Sequence, residues 1–269
     1  MKQLHFLGTG AAMVKEHYHT SFIVEIDQLK MLVDTMGGYD IKQALQKNNK
    51  NIFEINALFI SHCHLDHSLG FFWILRLLWH QVAHHKPMPP DYTLSVLCSP
   101  LLKKALISAA KSLCPDLYLT AKPYLQFIEL QEGKKIGLKG VQLSPLNLQS
   151  KKEEQFSFVL TTKTFKLAFT GDEPLRKNHS KALLDSDILI HDCFSLEADE
   201  QMFGSREKSH STALDAAHHA NFIRAKAVVL THIADEKQQR KERFTKEAKS
   251  VFKGKVYVPD DGEIIILEK

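Results

Sequence analysis

The sequence predicts an α/β protein, an expectation that rests on three observations. Short apolar runs bounded by Gly, Asp or Asn recur through residues 1–60, among them Phe22-Ile23-Val24 and Met31-Leu32-Val33, as buried strands require. Longer segments with helical spacing, closed by breaker residues, interrupt them. The stretch 127–170 then alternates strand patterns with Gly and polar turns, which implies a second sheet.

Taken in order, the first strands lead into a helix over 41–47, giving a sheet with helices on its outer face. The apolar run Ala57-Leu58-Phe59-Ile60 is a further strand, followed at once by His62-Cys63-His64-Leu65-Asp66-His67. Residues 71–85 form a strongly apolar helix carrying Trp73 and Trp79 and ending before Lys86-Pro87-Met88-Pro89-Pro90, so most of it belongs to the core or a lid. A strand over 92–97 and an amphipathic helix over 101–113 follow. Later strands are expected over 183–194, 227–232, 255–258 and 263–267, with helices over 212–223 and 235–252. The last helix is dense in Lys, Arg and Glu; such mixed charge describes a solvated face better than a nucleic-acid surface. His80 and His84 are four apart but lack a neighbouring carboxylate, which makes them surface or lid residues.

Length and composition suit one globular domain over 1–269, with 44% hydrophobic residues to build a large core. With 35 basic against 31 acidic residues the formal charge is only +4, so charge gives no argument for nucleic-acid binding. Cys63, Cys98, Cys114 and Cys193 lie far apart without a C-x-x-C pair, as reduced thiols in a cytoplasmic protein do. No apolar run reads as a signal peptide or membrane span.

The six residues from His62 to His67 carry the chemistry. Three imidazoles and a carboxylate on one tight loop are borderline and hard donors suited to Zn, Mn or Fe.

This stretch matches the H-x-H-x-D-H signature, and with it the chain resembles the metallo-β-lactamase fold superfamily, in particular its RNase Z-like and small phosphodiesterase branch. Leu7-Gly8-Thr9-Gly10 is similar to the branch's first-strand turn, residues 21–25 and 31–34 to its next two strands, Thr170-Gly171-Asp172 to the bridging-aspartate motif, and Leu230-Thr231-His232 to the last metal histidine. The resemblance implies an αββα sandwich of two mixed sheets flanked by helices. It also implies one metal site at His62 and His64, a second at Asp66, His67 and His232, and Asp172 as the bridge, with one or two Zn or Mn ions per chain. Asp66 would help the metals activate water. Ile190-His191-Asp192-Cys193-Phe194 and Ser209-His210-Ser211-Thr212 look like the paired motifs that protonate the leaving oxygen, with Asp192 orienting His210 as general acid. His191 reads as a packed strand residue, and the helix opened by His210-Ser211-Thr212 offers N–H groups that could cradle a phosphate.

The chain departs from the pattern at one place. The family supplies another site-one histidine where this chain reads Leu146-Asn147-Leu148-Gln149, so Leu148 stands in its position, with only neutral Asn147 and Gln149 beside it. Site two is therefore expected to fill first. Residues 149–171 also leave no room for the long Gly- and Pro-rich arm that clamps tRNA in this branch. The expectation is a metal-dependent phosphodiesterase for a small or cyclic phosphodiester or short nucleotide, able to pair as a homodimer. The alternative is a non-catalytic or single-metal relative that binds a nucleotide or nucleic acid.

Overall fold

The structure, a computed structural model, describes residues 2–267; residues 1, 268 and 269 of the expected 1–269 domain lie outside the described residues. Two seven-stranded sheets pack face to face, with helices on both outer sides. The first contains β1 (Lys2–Gly8), β2 (Ser21–Ile26), β3 (Leu29–Val33), β4 (Ala57–Phe59), β5 (Leu94–Cys98) and β6 (Leu125–Glu129). The second contains β7 (Ile136–Leu138), β8 (Val141–Asn147), β9 (Phe156–Thr161), β10 (Lys166–Phe169), β11 (Ile188–Asp192), β12 (Ala227–Thr231) and β13 (Lys255–Tyr257). The strand β14 (Ile264–Ile266) returns to pair antiparallel with β1. Each sheet is mixed: β1, β2 and β3 run antiparallel and β3 to β6 parallel, while β7 to β10 run antiparallel and β10 to β13 parallel.

Strands covered on both faces must be apolar throughout, with alternate residues serving different cores. In β2, Phe22, Val24 and Ile26 enter the core between the sheets, while Ile23 joins the core under the first helical layer. In β12, Ala227 and Val229 face the other sheet, and Val228 and Leu230 face the second helical layer. Aromatic rings lock the two sheets together, Phe22 on Phe169 at 5.4 Å and Phe59 on Phe158 at 4.8 Å between centroids.

The helices are α1 (Asp40–Lys47), α2 (Leu65–Ser68), α3 (Phe71–Ala83), α4 (Pro100–Leu113), α5 (Pro115–Ala121), α6 (Ser180–Leu183), α7 (Glu200–Phe203), α8 (Ala213–Phe222) and α9 (Arg240–Lys249). In α4, Ser99 caps the helix by accepting from the Leu102 N–H, Pro100 occupies the first turn, and Leu102, Leu106 and Ala110 form the buried stripe. Ala213, Ala216, Ala217 and Ala220 let α8 lie close on the second sheet.

Two expectations change, and one helix is additional. The helix expected over 235–252 shortens to α9, because the Asp235 carboxylate accepts from the Lys237 N–H in a turn and Gln239 takes a left-handed φ of 58°. The strand expected over 183–194 narrows to β11, because Leu183 closes α6 and Asp185 turns the chain at φ 57°. Helix α5, opened by Pro115, was not anticipated. All four cysteines are free thiols, and no helix among the described residues is long and apolar enough to cross a membrane.

Apart from His210, which precedes α8, each residue of the expected site lies at or just beyond the carboxyl end of a strand. Residues 62–67 follow β4, Asp172 follows β10, Asp192 ends β11 and His232 follows β12. Open α/β sheets place ligands beyond these strand ends.

Candidate metal centre

The His62 to His67 loop is held from beneath by Asp34, at the end of β3. Its Oδ1 accepts from the Ser61 N–H at 2.7 Å, and its Oδ2 accepts from Ser61 Oγ at 2.9 Å. Since the single Ser61 hydroxyl proton is donated there, its oxygen accepts from His62 Nδ1–H at 2.9 Å. His67 Nδ1–H donates to the same Asp34 Oδ2 at 2.8 Å. Both imidazoles are thereby fixed in the tautomer that leaves Nε2 as a lone-pair donor.

Around these two nitrogens the other expected residues converge. Asp172 Oδ2 is 3.7 Å from both His62 Nε2 and His67 Nε2, Asp66 Oδ2 is 3.2 Å from His67 Nε2, and His232 Nε2 is 3.7 Å from Asp66 Oδ2. His232 Nδ1 approaches Asp172 Oδ1 to 2.7 Å without hydrogen-bond geometry. The ring nitrogens His62 Nε2, His67 Nε2 and both of His232, together with Asp172 Oδ1, are buried without a hydrogen-bond partner. Orphaned buried polar atoms cost about 1–3 kcal/mol each, and cations in their midst would satisfy one nitrogen of each ring together with Asp172 Oδ1. The donor set therefore fits the metal ions that the signature implies. His64 is more exposed, and its Nε2 meets Glu153 Oε2 at 3.0 Å.

Electrostatics agree with a cation site. Burial alone would raise the carboxyls of Asp66 and Asp172, yet the imidazoles of His67 and His232 outweigh it and hold both well below the usual carboxylate range. Burial likewise opposes charge on His67, but Asp34 and Asp66 prevail and push its pKa up to about 10, so an ion binding at its Nε2 would displace a proton from that nitrogen. Burial, seconded by the charge of His67, drives His62 well down.

The pair Asp192 and His210 forms beside this cluster. His210 Nδ1 lies 3.1 Å from Asp192 Oδ1, while the other carboxylate oxygen accepts from the Ser211 N–H at 2.7 Å. Burial pushes the Asp192 carboxyl up, but the adjacent His210 holds it below its ordinary value. The Phe194 ring stacks on His210 at 4.5 Å and 12°, fixing its plane. Asp172 Oδ1 is 3.8 Å from His210 Nδ1, so this pair borders the metal cluster directly.

The expected phosphate cradle at the start of α8 does not form. Thr212 and Asp215 make a capping box, the Ala213 N–H goes to Ser195 O at 2.9 Å, and the Leu214 N–H goes to Glu247 at 3.0 Å. Those donors are spent within the fold. His191 is a packed residue as expected, fully buried with Nε2 2.9 Å from His219 Nδ1. His80 and His84 are exposed, with their rings 4.3 Å apart.

The Gly8-Thr9-Gly10 turn braces His232. Ile233 N–H donates to Thr9 O at 3.0 Å and Ala11 N–H to Ile233 O at 3.2 Å, while His232 itself holds a left-handed φ of 62°. A Cβ at Gly8 would meet His19 O at 2.2 Å, so only glycine permits this crossing. Above the cluster opens a cavity of about 450 Å³, with Met13, Phe194, Phe203 and Lys208 on its walls and Asp66, Asp172, His210 and His232 among its lining. Sequence reasoning missed Asp34, Ser61 and Glu153; an aspartate closing a buried strand was the one signal available for Asp34.

Two layers of helix around two mixed sheets, with this cluster at the strand ends, define a protein of the metallo-β-lactamase fold. Within it the chain belongs to the family described as anti-Pycsar protein Apyc1, whose model matches residues 2–257. A ribonuclease Z of Pyrobaculum calidifontis is 24% identical over 284 aligned positions, covering 99% of this chain and 98% of that protein. The crystal structure of human tRNase Z, short form, superposes with a TM-score of 0.71 at 20% identity, covering 99% of this chain and 100% of that one. The crystal structure of a diphosphatase from the PhnP family gives 0.75 at 17% identity, covering 100% and 98%.

Proposed function

We propose that this chain is a metal-dependent phosphodiesterase acting on a small or cyclic phosphodiester or short nucleotide. The observation that carries the reading is the Asp192–His210 pair standing at the wall of a small cavity whose floor is the carboxylate and imidazole cluster. A cavity of about 450 Å³ matches a ligand of nucleotide size. That relatives are named for phosphorus substrates, ribonuclease Z and diphosphatase, supports the same class.

In this reading His62, His64 and Asp172 would hold one Zn or Mn ion, and Asp66, His67, His232 and Asp172 another. When bound, such ions would supply Lewis-acid activation of water and charge stabilisation at phosphorus. The chain's own residues do the rest. Asp66 accepts the proton of the attacking water. Asp192 Oδ1 keeps Nδ1–H of His210 engaged, which leaves Nε2 to carry a proton to the departing oxygen. Phe194 and Phe203 exclude water from that side and offer an apolar face to a base, and Lys208 supplies a positive charge at the rim.

The test is turnover of cyclic nucleotides and bis(p-nitrophenyl) phosphate beside a precursor tRNA, in Zn and in Mn. Cleavage of the small diesters supports the reading; cleavage of the RNA alone, or of no phosphodiester, rejects it. The missing histidine at Leu148 favours a second reading, a non-catalytic or single-metal relative that binds nucleotide. That protein would bind a nucleotide without turnover and keep its affinity in Asp66→Asn.

A further inference from the structure

The vacancy that Leu148 leaves in site one is adjoined by an acid. Leu148 is 3% exposed, and its Cδ1 lies 2.9 Å from where a Cβ on Gly171 would stand, so it packs under the turn that leads to Asp172. Neither neighbour takes over: Asn147 Oδ1 accepts from the Gln149 N–H at 2.8 Å, and Gln149 is exposed at φ 50°. The same loop then doubles back, closed by Leu148 N–H to Gln155 O at 2.9 Å. Glu153 sits on its return limb.

We infer that Glu153 is a ligand of the first metal site, a carboxylate from the β8–β9 loop standing in for the absent imidazole. One ring nitrogen each of His62 and His64 and a Glu153 oxygen lie within 4.8 Å of one another, and Glu153 Oε2 is 3.0 Å from His64 Nε2. Two donors on one tetrahedral ion with bonds of roughly 2.0–2.1 Å stand about 3.3 Å apart, close to that spacing. Independently of this pair, His62 is fully buried and its Nε2, unpartnered, points into the same space.

Glu153 is aimed as metal-binding carboxylates are. Gln155 Nε2 donates to its Oε1 at 2.5 Å, leaving Oε2 for the site, and Gln155 is itself 1% exposed. The Phe156 N–H donates to Ser61 O at 2.9 Å, tying the loop to the residue before His62. With Asp172 the first site becomes two imidazoles and two carboxylates, while the second keeps His67 and His232 with Asp66. An additional hard, anionic oxygen moves site one toward Mn or Fe(II) and away from Zn.

The inference rests on the two-metal reading above and is tested by metal binding itself. Wild type, Glu153→Gln and Glu153→His are dialysed against Zn or Mn, metal per chain is measured by elemental analysis, and Mn occupancy is followed by electron paramagnetic resonance. Expected are two equivalents in wild type, one in E153Q with the other ion weakened by more than roughly 10- to 100-fold, and two again in E153H with preference moved from Mn to Zn. Two equivalents at unchanged affinity in E153Q overturn the assignment, as does a wild type that holds only one. Should E153Q fail to fold, the metal preference of E153H against wild type decides alone, and an unchanged preference overturns it. A wild type that holds two ions, one of them lost in E153Q, but cleaves no phosphodiester rejects the proposed activity and leaves Glu153 in place.

Discussion

The carboxylate of Asp34 stands 2.8 Å from Nδ1 of His67 while its other oxygen holds the Ser61 N–H at 2.7 Å, so one buried acid orients the His62–His67 loop through two contacts. Removing such a partner typically costs roughly 10- to 100-fold in metal affinity. Asp34→Ala is expected to lose metal on that scale while far-UV circular dichroism stays native, and competition with a chromophoric chelator measures it. Unchanged affinity would show that His67 does not depend on Asp34.

His210→Ala removes the proposed proton donor and is expected to lower kcat by roughly 10²–10⁴-fold on a substrate with an alkoxide leaving group. A p-nitrophenolate departs without a proton, so the same variant should lose much less on that substrate. Metal content should be unchanged. Equal losses on both substrates would reassign His210 to substrate positioning.

Gly70 lies where a Cβ would meet Thr35 O at 1.7 Å, and Thr35 N–H and Oγ1–H both reach His67 O, at 2.7 and 2.9 Å. Gly70→Ala must therefore push Thr35 away and drag His67 with it. We expect a stability loss of about 1–3 kcal/mol from overpacking, together with weaker metal binding. Urea unfolding and elemental analysis report the two effects.

The buried His191–His219 pair predicts a pH effect outside the metal centre. Burial, then the neighbouring His191, lowers the pKa of His219 to about 3, and burial also lowers His191. In the unfolded chain both titrate near 6.5, so below that pH the unfolded state binds protons that the folded state refuses. Stability should thus fall as the pH drops from 6.5 toward 3, by up to about 1.4 kcal/mol per unit for His219, with His191 acting in the same direction. Comparing the pH dependence of unfolding with that of His219→Asn in chelator isolates the term; parallel curves would remove it.

Much of the fold and of the donor cluster was legible in the sequence because both are written locally. His62, His64, Asp66 and His67 share one loop, and strands such as β2 and β12 announce burial on both faces by consecutive apolar residues, Phe22-Ile23-Val24 and Ala227-Val228-Val229-Leu230. What stayed hidden depends on residues distant in sequence. Asp34 reaches His67 across 33 positions, and nothing local marks Glu153 as a neighbour of His64. The start of α8 misled for the same reason, since Ser195 and Glu247 consume N–H groups that its own sequence leaves open. Asp235 and Gln239 displaced the start of α9 through a side-chain turn and a left-handed φ, neither of which a charge pattern records.

The cluster draws His62, Asp66 and His67 from the end of β4 in one sheet, and Asp172 and His232 from the ends of β10 and β12 in the other. Neither sheet alone owns a complete ligand set. During synthesis, a chain that has folded everything up to β11 still lacks His232, and one whose sheets have not yet met presents two half-sets facing solvent. On the proposed ligand set, tight metal retention would arrive only after the last parallel strands have docked, so the ion would seal finished molecules and immature ones would not compete for it.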